Sequence, residues 1–301
     1  MRRNVRIPVT GMHMETKIGQ VTNPEDVDDA VKGCDYIIHI AANTNQHSTR
    51  YADYYEVNVR ATEYVLDAAK RYGITKTIIV SSANAFGYGS PEAPGNEQLP
   101  MRYPFTKTAY AKSKKEAQDI ALAYPKAGMG SIVVVNPTFM IGKYDGKPSS
   151  GKIITMNYRK RFNFIPPGGK NFVHVEDVAR GIHQALLEGK DRQCYLLSGE
   201  NMSYKAFYKK MQEIGAYRSY SLPLPKTLLL FMGAVGTCMQ KIGISTSMHY
   251  YNMRILCVRN YYSNAKARST LNLSSTPVSK AISDAISWFH QQGMLKSGKI
   301  K

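Results

Sequence analysis

A chain of 301 residues, 43% of them hydrophobic, is long enough for one large domain or two small ones and buries a sizeable core without staples. Its formal charge of +18 raises nucleic acid, an anionic membrane or an anionic ligand as partners. However, the basic residues are dispersed, with Lys112-Ser113-Lys114-Lys115 and Arg159-Lys160-Arg161 the densest runs, so a solvated basic surface and no nucleic-acid partner are expected. Cys34, Cys194, Cys238 and Cys257 show neither zinc nor disulfide spacing, which excludes a cysteine-built scaffold and points to a reducing, cytoplasmic setting.

No long apolar run follows the basic start Met1-Arg2-Arg3, so no signal peptide is expected. Residues 35–40 (DYIIHI) form a short apolar run ending in Ala41-Ala42-Asn43. Residues 52–72 are read as a helix, with Val57, Ala61, Tyr64, Val65 and Ala68 at helical spacing and Gly73 as its stop. Residues 77–82 form the next strand and 109–124 the next helix. Residues 131–136 (SIVVVN) are a third strand, of the continuous apolar kind that suits a parallel sheet covered on both faces. This alternation implies a doubly wound α/β sheet, in which ligands bind outside the carboxyl ends of the strands. Ser82 and Asn136-Pro137-Thr138 stand at such ends.

After Pro137 the pattern loosens through a segment rich in Gly, Pro and Lys. Residues 173–187 return to strand and helix, 194–198 read as a further strand, and the chain from Met202 onward is read as mostly helical, ending in a helix at 278–292. Residues 222–244 hold an apolar core, Leu228 to Val235, that is far shorter than the ~20 residues of a membrane span. A buried or interfacial helix is the preferred reading there, ahead of attachment to a membrane surface.

The chemistry is carried by Tyr110 and Lys114 and by the strand that ends in Ser81-Ser82. Residues four apart share a helix face, which sets the Lys114 ammonium beside the Tyr110 phenol. A phenol with a pKa of about 10 is a poor acid or base at neutral pH, and a nearby cation lowers that value. Ser82 can bond the oxygen of a carbonyl or alcohol substrate; Ser81 is the second candidate at the strand end. Such a site moves a proton while a hydride moves elsewhere. His39 lies within an apolar strand and is read as a packed core residue. His13, His47 and His249 offer no metal spacing, so no metal is expected. Tyr250-Tyr251 and Tyr261-Tyr262 either line an apolar pocket or pack against helices.

Taken together, these segments resemble an extended short-chain dehydrogenase/reductase of the NAD-dependent epimerase/dehydratase superfamily. Residues 35–42 resemble the family's fourth strand and cofactor-side loop, and Asn58-Val59 the helix with a structural asparagine. Ser82, Tyr110 and Lys114 match the catalytic serine, tyrosine and lysine. Asn136-Pro137-Thr138 matches the segment against the nicotinamide, and residues 172–179 (FVHVEDVA) a late strand-and-helix signature. The resemblance implies NAD or NADP as cofactor, held by Ala41, Ala42, Asn58, Ser81, Tyr110, Lys114, Pro137 and Thr138. Arg3 is placed where arginines meet the 2′-phosphate of NADP. Within the family the chain is most similar to the 3β-hydroxysteroid dehydrogenase and dihydroflavonol reductase branch. Lys170-Asn171 stands where nucleotide-sugar epimerases carry an Arg-Asp pair.

The expected division is a Rossmann-like nucleotide-binding part over 1–140, with 172–198 returning to it, and a smaller, mostly helical substrate-binding part over 141–171 and 199–301. The family's opening strand and Gly-x-x-Gly-x-x-Gly loop have no counterpart, since Gly11 and Gly19 have the wrong spacing, so the sheet is expected to be N-terminally truncated by roughly one βαβ unit. The expected activity is hydride exchange between a nicotinamide and an alcohol or ketone, on a steroid-like or dihydroflavonol-like small molecule. A nucleotide-sugar epimerase or dehydratase and a truncated, non-catalytic binding relative are the rival readings. The implied partners are a small-molecule substrate and a second copy of the chain in a homodimer.

Overall fold

The computed structural model describes residues 15–45, 48–244 and 246–295. Helix α1 (Pro24–Val31) opens behind Asn23, whose side chain accepts the Glu25 N–H at 3.0 Å, with proline at its first position. Strand β1 (Tyr36–His39) follows. The next helical stretch comes in three pieces, α2 (Ala52–Tyr55), a π-helical turn over Glu56–Arg60 and α3 (Ala61–Arg71). Then come β2 (Lys76–Val80), α4 (Ala109–Ala123) and β3 (Ser131–Pro137). Apart from α1, which the sequence reading did not name, these elements agree with that reading to within a residue or two at their ends.

The middle of the chain supplies β4 (Phe139–Ile141), α5 (Lys152–Thr155), β5 (Phe162–Ile165), β6 (Gly169–His174), α6 (Val175–Glu188) and β7 (Gln193–Leu197). The last part holds β8 (Glu200–Ser203), α7 (Tyr204–Ile214), β9 (Tyr220–Pro223), α8 (Lys226–Lys241), α9 (Tyr250–Ile255), β10 (Arg259–Asn260), α10 (Ala265–Leu271) and α11 (Val278–Gln291). The three strands here depart from the mostly helical reading. Each has four residues or fewer, too few for a period-2 signal.

The main sheet runs β1-β2-β3-β7 with every pair parallel. Its side chains alternate between two covered faces. Ile78, Val133 and Val135 pack with Val178 and Ala185 of α6 and with Ala267 and Leu271 of α10. Ile79, Ile132 and Val134 pack with Leu66 of α3 and Ala121 of α4. Strand β1 differs from the buried strand its apolar run suggests. It pairs only with β2 among the described strands, and Tyr36 and Ile38 are 52% and 42% exposed at that edge.

A second sheet, β10-β6-β4 with β8 antiparallel on β6, carries its own core. Phe172 stacks on Phe207 at 4.4 Å between ring centroids, and Met211, Ile282 and Phe289 close around them. Strands β5 and β9 form a separate parallel ribbon. The doubly wound layer thus presents the ends of β2 and β3 to the side on which α4 begins.

Candidate active site

Strand β2 delivers Ser81 and Ser82 at its carboxyl end, and both are buried. Ser81 stays on the sheet through its N–H, which donates to the Val135 carbonyl at 2.8 Å. Its hydroxyl donates to the Lys114 carbonyl at 3.3 Å, tying the strand end to α4. Ser82 is extended and caps a short 3-10 turn, accepting the Asn84 N–H at 3.2 Å. Helix α4 begins at Ala109, so Tyr110 lies in its first turn and Lys114 one turn further along the same face.

The structure brings Ser82, Tyr110 and Lys114 together. The Tyr110 phenol lies near enough to the Ser82 side chain for the serine to favour its ionised form. The Lys114 ammonium is buried and donates to the Val80 carbonyl at 2.6 Å, two residues before Ser82. The electrostatics differ from the sequence expectation, in which Lys114 lowers the phenol pKa. Burial pushes the Tyr110 phenol up, and Ser82 offsets only part of that. Burial also lowers Lys114 to about 8, because a desolvated ammonium is penalised and, among the described residues, no carboxylate stands beside it to compensate. His39 is packed and held neutral, lowered to about 4 by burial and then by Lys114. That agrees with its reading as a core histidine.

A polar buttress that sequence reasoning had only in part supports the tyrosine. Asn58 sits in the π-helical turn and is fully buried. Its amide donates to Ser113 Oγ at 2.8 Å and to the Asn43 carbonyl at 3.1 Å, and its Oδ1 accepts the Asn43 N–H at 2.6 Å. Ser113 in turn donates to the Tyr110 carbonyl at 2.8 Å. Asn58 therefore clamps the Ala41-Ala42-Asn43 segment to helix α4. Tyr54 was missed; its buried ring meets Tyr110 edge-on at 6.3 Å, and its hydroxyl donates to the Ser48 carbonyl at 2.9 Å.

Asn136 is buried at the end of β3 and donates to the Ser82 carbonyl at 3.0 Å and to Gln118 Oε1 at 2.7 Å. Pro137 is buried beside it, and Thr138 donates to Asn171 Oδ1 at 2.7 Å. The Lys170 ammonium lies over the Phe139 ring at 4.9 Å, and burial lowers it to about 8. Tyr261 and Tyr262 are buried, the packing alternative, whereas Tyr250 and Tyr251 are half-buried on α9, with Tyr251 edge-on to Tyr103 at 6.3 Å. Arg3 and His47 lie outside the described residues.

The residues present fit the nicotinamide half of a dinucleotide. A buried, carboxylate-free ammonium, a serine pair and the small Ala41-Ala42 turn converge on the carboxyl ends of β1 to β3. The start of α1 does not fit a pyrophosphate. Glu25 and Asp26 occupy its first turn, and Asp26 accepts the Gln20 N–H at 2.8 Å, so the positive end of the helix already faces carboxylates.

Comparison with known proteins agrees with this geometry. The model of the NAD dependent epimerase/dehydratase family matches residues 3–197. The chain is 29% identical to a putative dihydroflavonol 4-reductase of Synechocystis, over 91% of this chain and 82% of that one. It is 24% identical to sterol demethylase protein B of Methylococcus capsulatus, over 95% and 88%. Among solved structures, gox2253 superposes with a TM-score of 0.78 at 26% identity, covering 92% of this chain and 85% of that one. The UDP-glucuronic acid 4-epimerase of Bacillus cereus, solved with NAD, shares the fold at a TM-score of 0.70 and 17% identity, covering 91% and 81%.

The fold and site thus define a Rossmann-like enzyme of the extended short-chain dehydrogenase/reductase type. The chain belongs to the NAD dependent epimerase/dehydratase family, and its cofactor class is a nicotinamide dinucleotide.

Proposed function

We propose that this protein interconverts an alcohol and a ketone on a largely apolar small molecule, with Ser82, Tyr110 and Lys114 as its proton-transfer site. The observation that carries the reading is the buried Lys114 ammonium at the end of β2, one helical turn from Tyr110 on the same face of α4 and beside the strand end that presents Ser82. Ala41, Ala42, Pro137 and Thr138 would hold the nicotinamide, which would supply or accept the hydride. Ser82 donates a hydrogen bond to the substrate oxygen and fixes its position. Tyr110 gives that oxygen its proton in reduction and takes it back in oxidation. Lys114 provides positive potential near the phenol and would be a donor for the ribose of a bound cofactor. Asn58 and Ser113 hold the backbone that presents Tyr110.

The dihydroflavonol reductase and sterol-processing names among the relatives support an apolar ketone or alcohol. A nucleotide sugar is the second reading. A dTDP-glucose 4,6-dehydratase of Streptomyces niveus is 27% identical over 60% of this chain, and the Lys170 ammonium beside Phe139 would suit an anionic substrate. In either case residues 1–140 with 172–198 form the cofactor part, and 141–171 with 199–301 the substrate part. Free thiols at all four cysteines support a reducing cytoplasmic setting, and a homodimer belongs to the same reading.

The test is to incubate the protein with NADH or NADPH and with steroid ketones, dihydroflavonols and nucleotide sugars, following nicotinamide absorbance. Oxidation of the cofactor by a ketone supports the proposal. Turnover of nucleotide sugars alone, with no net cofactor oxidation, replaces it with the epimerase reading.

A further inference from the structure

We infer that this protein docks on the surface of an anionic phospholipid bilayer through the outer face of α8 and the adjoining face of the β5–β9 ribbon. Two sides of α8 are distinct. Gly233 and Gly236 lie against α9 so closely that a Cβ at Gly236 would stand 2.0 Å from the Met248 carbonyl oxygen. Gln240, one turn on, accepts a hydrogen bond from Thr49 at 3.0 Å. That side is occupied. Leu228, Phe231, Val235 and Met239 recur at three- and four-residue spacing on another face. They are exposed, Phe231 by 67%, and Ile242 just past the helix continues the row at 75%.

The ribbon extends this surface. Register pairs Phe162 with Tyr220 and Phe164 with Leu222, and residues two apart on a strand share a face. All four side chains are exposed. Strand β9 leads into α8 through Leu224-Pro225 alone, and the Leu224 N–H donates to the Ile165 carbonyl at 2.9 Å, so the ribbon continues to the residue before Pro225.

Charge identifies the occupant. Residues 214–265 contain no Asp or Glu but carry Arg218, Lys226, Lys241, Arg254 and Arg259. Lys226 and Lys241 bracket α8, and the run Arg159-Lys160-Arg161 leads into Phe162, with the Arg161 guanidinium 5.4 Å from that ring. A second copy of this face would bring cations against cations. A layer of phosphate headgroups over acyl chains matches both the cations and the apolar row. Among the described residues no helix is long and apolar enough to cross a membrane, so α8 lies in the interface plane. The inference stands apart from the catalytic reading, since none of these residues belongs to the site around Tyr110.

The test is co-sedimentation of the full chain with vesicles of phosphatidylcholine and with equal mixtures of phosphatidylcholine and phosphatidylglycerol. Binding to the mixed vesicles should exceed binding to the neutral ones by roughly tenfold or more and weaken with added salt. Phe231→Ser with Val235→Ser should lower it by roughly tenfold, as should the independent pair Phe164→Ser with Tyr220→Ser, while circular dichroism and melting stay unchanged because these side chains are exposed. Absence of binding to either vesicle overturns the inference. So does binding indifferent to both variant pairs. A dimer that Phe231→Ser dissociates, with no vesicle binding, would make a second copy the occupant and overturn it as well.

Discussion

The Lys114 ammonium donates to the Val80 carbonyl at 2.6 Å, at the strand end that carries Ser81 and Ser82. The lysine is therefore held by the sheet, and burial pushes the neighbouring Tyr110 phenol up. A sugar hydroxyl pair arriving at the ends of β1 to β3 would compete for the same ammonium, coupling cofactor binding to the charge felt by Tyr110.

Tyr110→Phe keeps the ring and its contact with Tyr54 and removes the ionisable hydroxyl. Turnover should fall by about 10²-fold or more, the usual effect of losing a positioned acid or base. Circular dichroism should not change. Near-normal turnover in this variant would remove Tyr110 from the mechanism.

Lys114→Met should change the pH dependence of stability. The folded lysine titrates at about 8, below the ordinary value of about 10.4. Between those values the unfolded chain binds more protons, so this group makes stability rise with pH there, by at most about 1.4 kcal/mol per unit. Below pH 8 both states are charged and the desolvation penalty is fully present. The variant should be the more stable protein at neutral pH and lose this part of the rise, with Lys170 still contributing its own. Urea titrations from pH 7 to 10 read the difference; parallel curves for the two proteins would show that Lys114 is solvated in solution.

Asn58→Ala leaves the half-buried Asn43 N–H and carbonyl without their Asn58 partner, while the Ser113 hydroxyl keeps its bond to the Tyr110 carbonyl. Each unpaired group costs about 1–3 kcal/mol, so a loss of about 2–5 kcal/mol is expected in urea unfolding. The remaining activity should fall through turnover more than through KM, since the helix presenting Tyr110 loses its clamp. A loss below about 0.5 kcal/mol would mean that the turn at Asn43 is held by other contacts.

Gly236→Ala places a Cβ against the Met248 backbone, where no side chain can give way. Helix α8 must move off α9, at a cost of about 1–3 kcal/mol. Limited proteolysis between α8 and α9 should accelerate, and unaltered cleavage would show that the two helices are packed more loosely.

The candidate site was legible in unusual detail because its signal is local. Tyr110 and Lys114 share a helix face by spacing alone, and residues 77–82 announce a strand that ends in two serines. The continuous apolar run of β3 gave its double burial, and Asn58 stood out as the asparagine of its helix. Tyr54 was not legible, since its contact with Tyr110 joins two helices 56 positions apart in sequence. Strands β8 to β10 escaped because two to four residues carry no period.

The sequence by itself determined the order of strands and helices, the Ser82, Tyr110 and Lys114 set, and the dispersal of its positive charge. Spacing and periodicity are properties of neighbouring residues, and helix and strand geometry turn them directly into shared faces. Only the tertiary structure decided where the Lys114 ammonium rests, which way the Tyr110 pKa moves, and that the apolar row on α8 faces outward. Those outcomes depend on desolvation and on partners brought from distant parts of the chain, which no local pattern encodes.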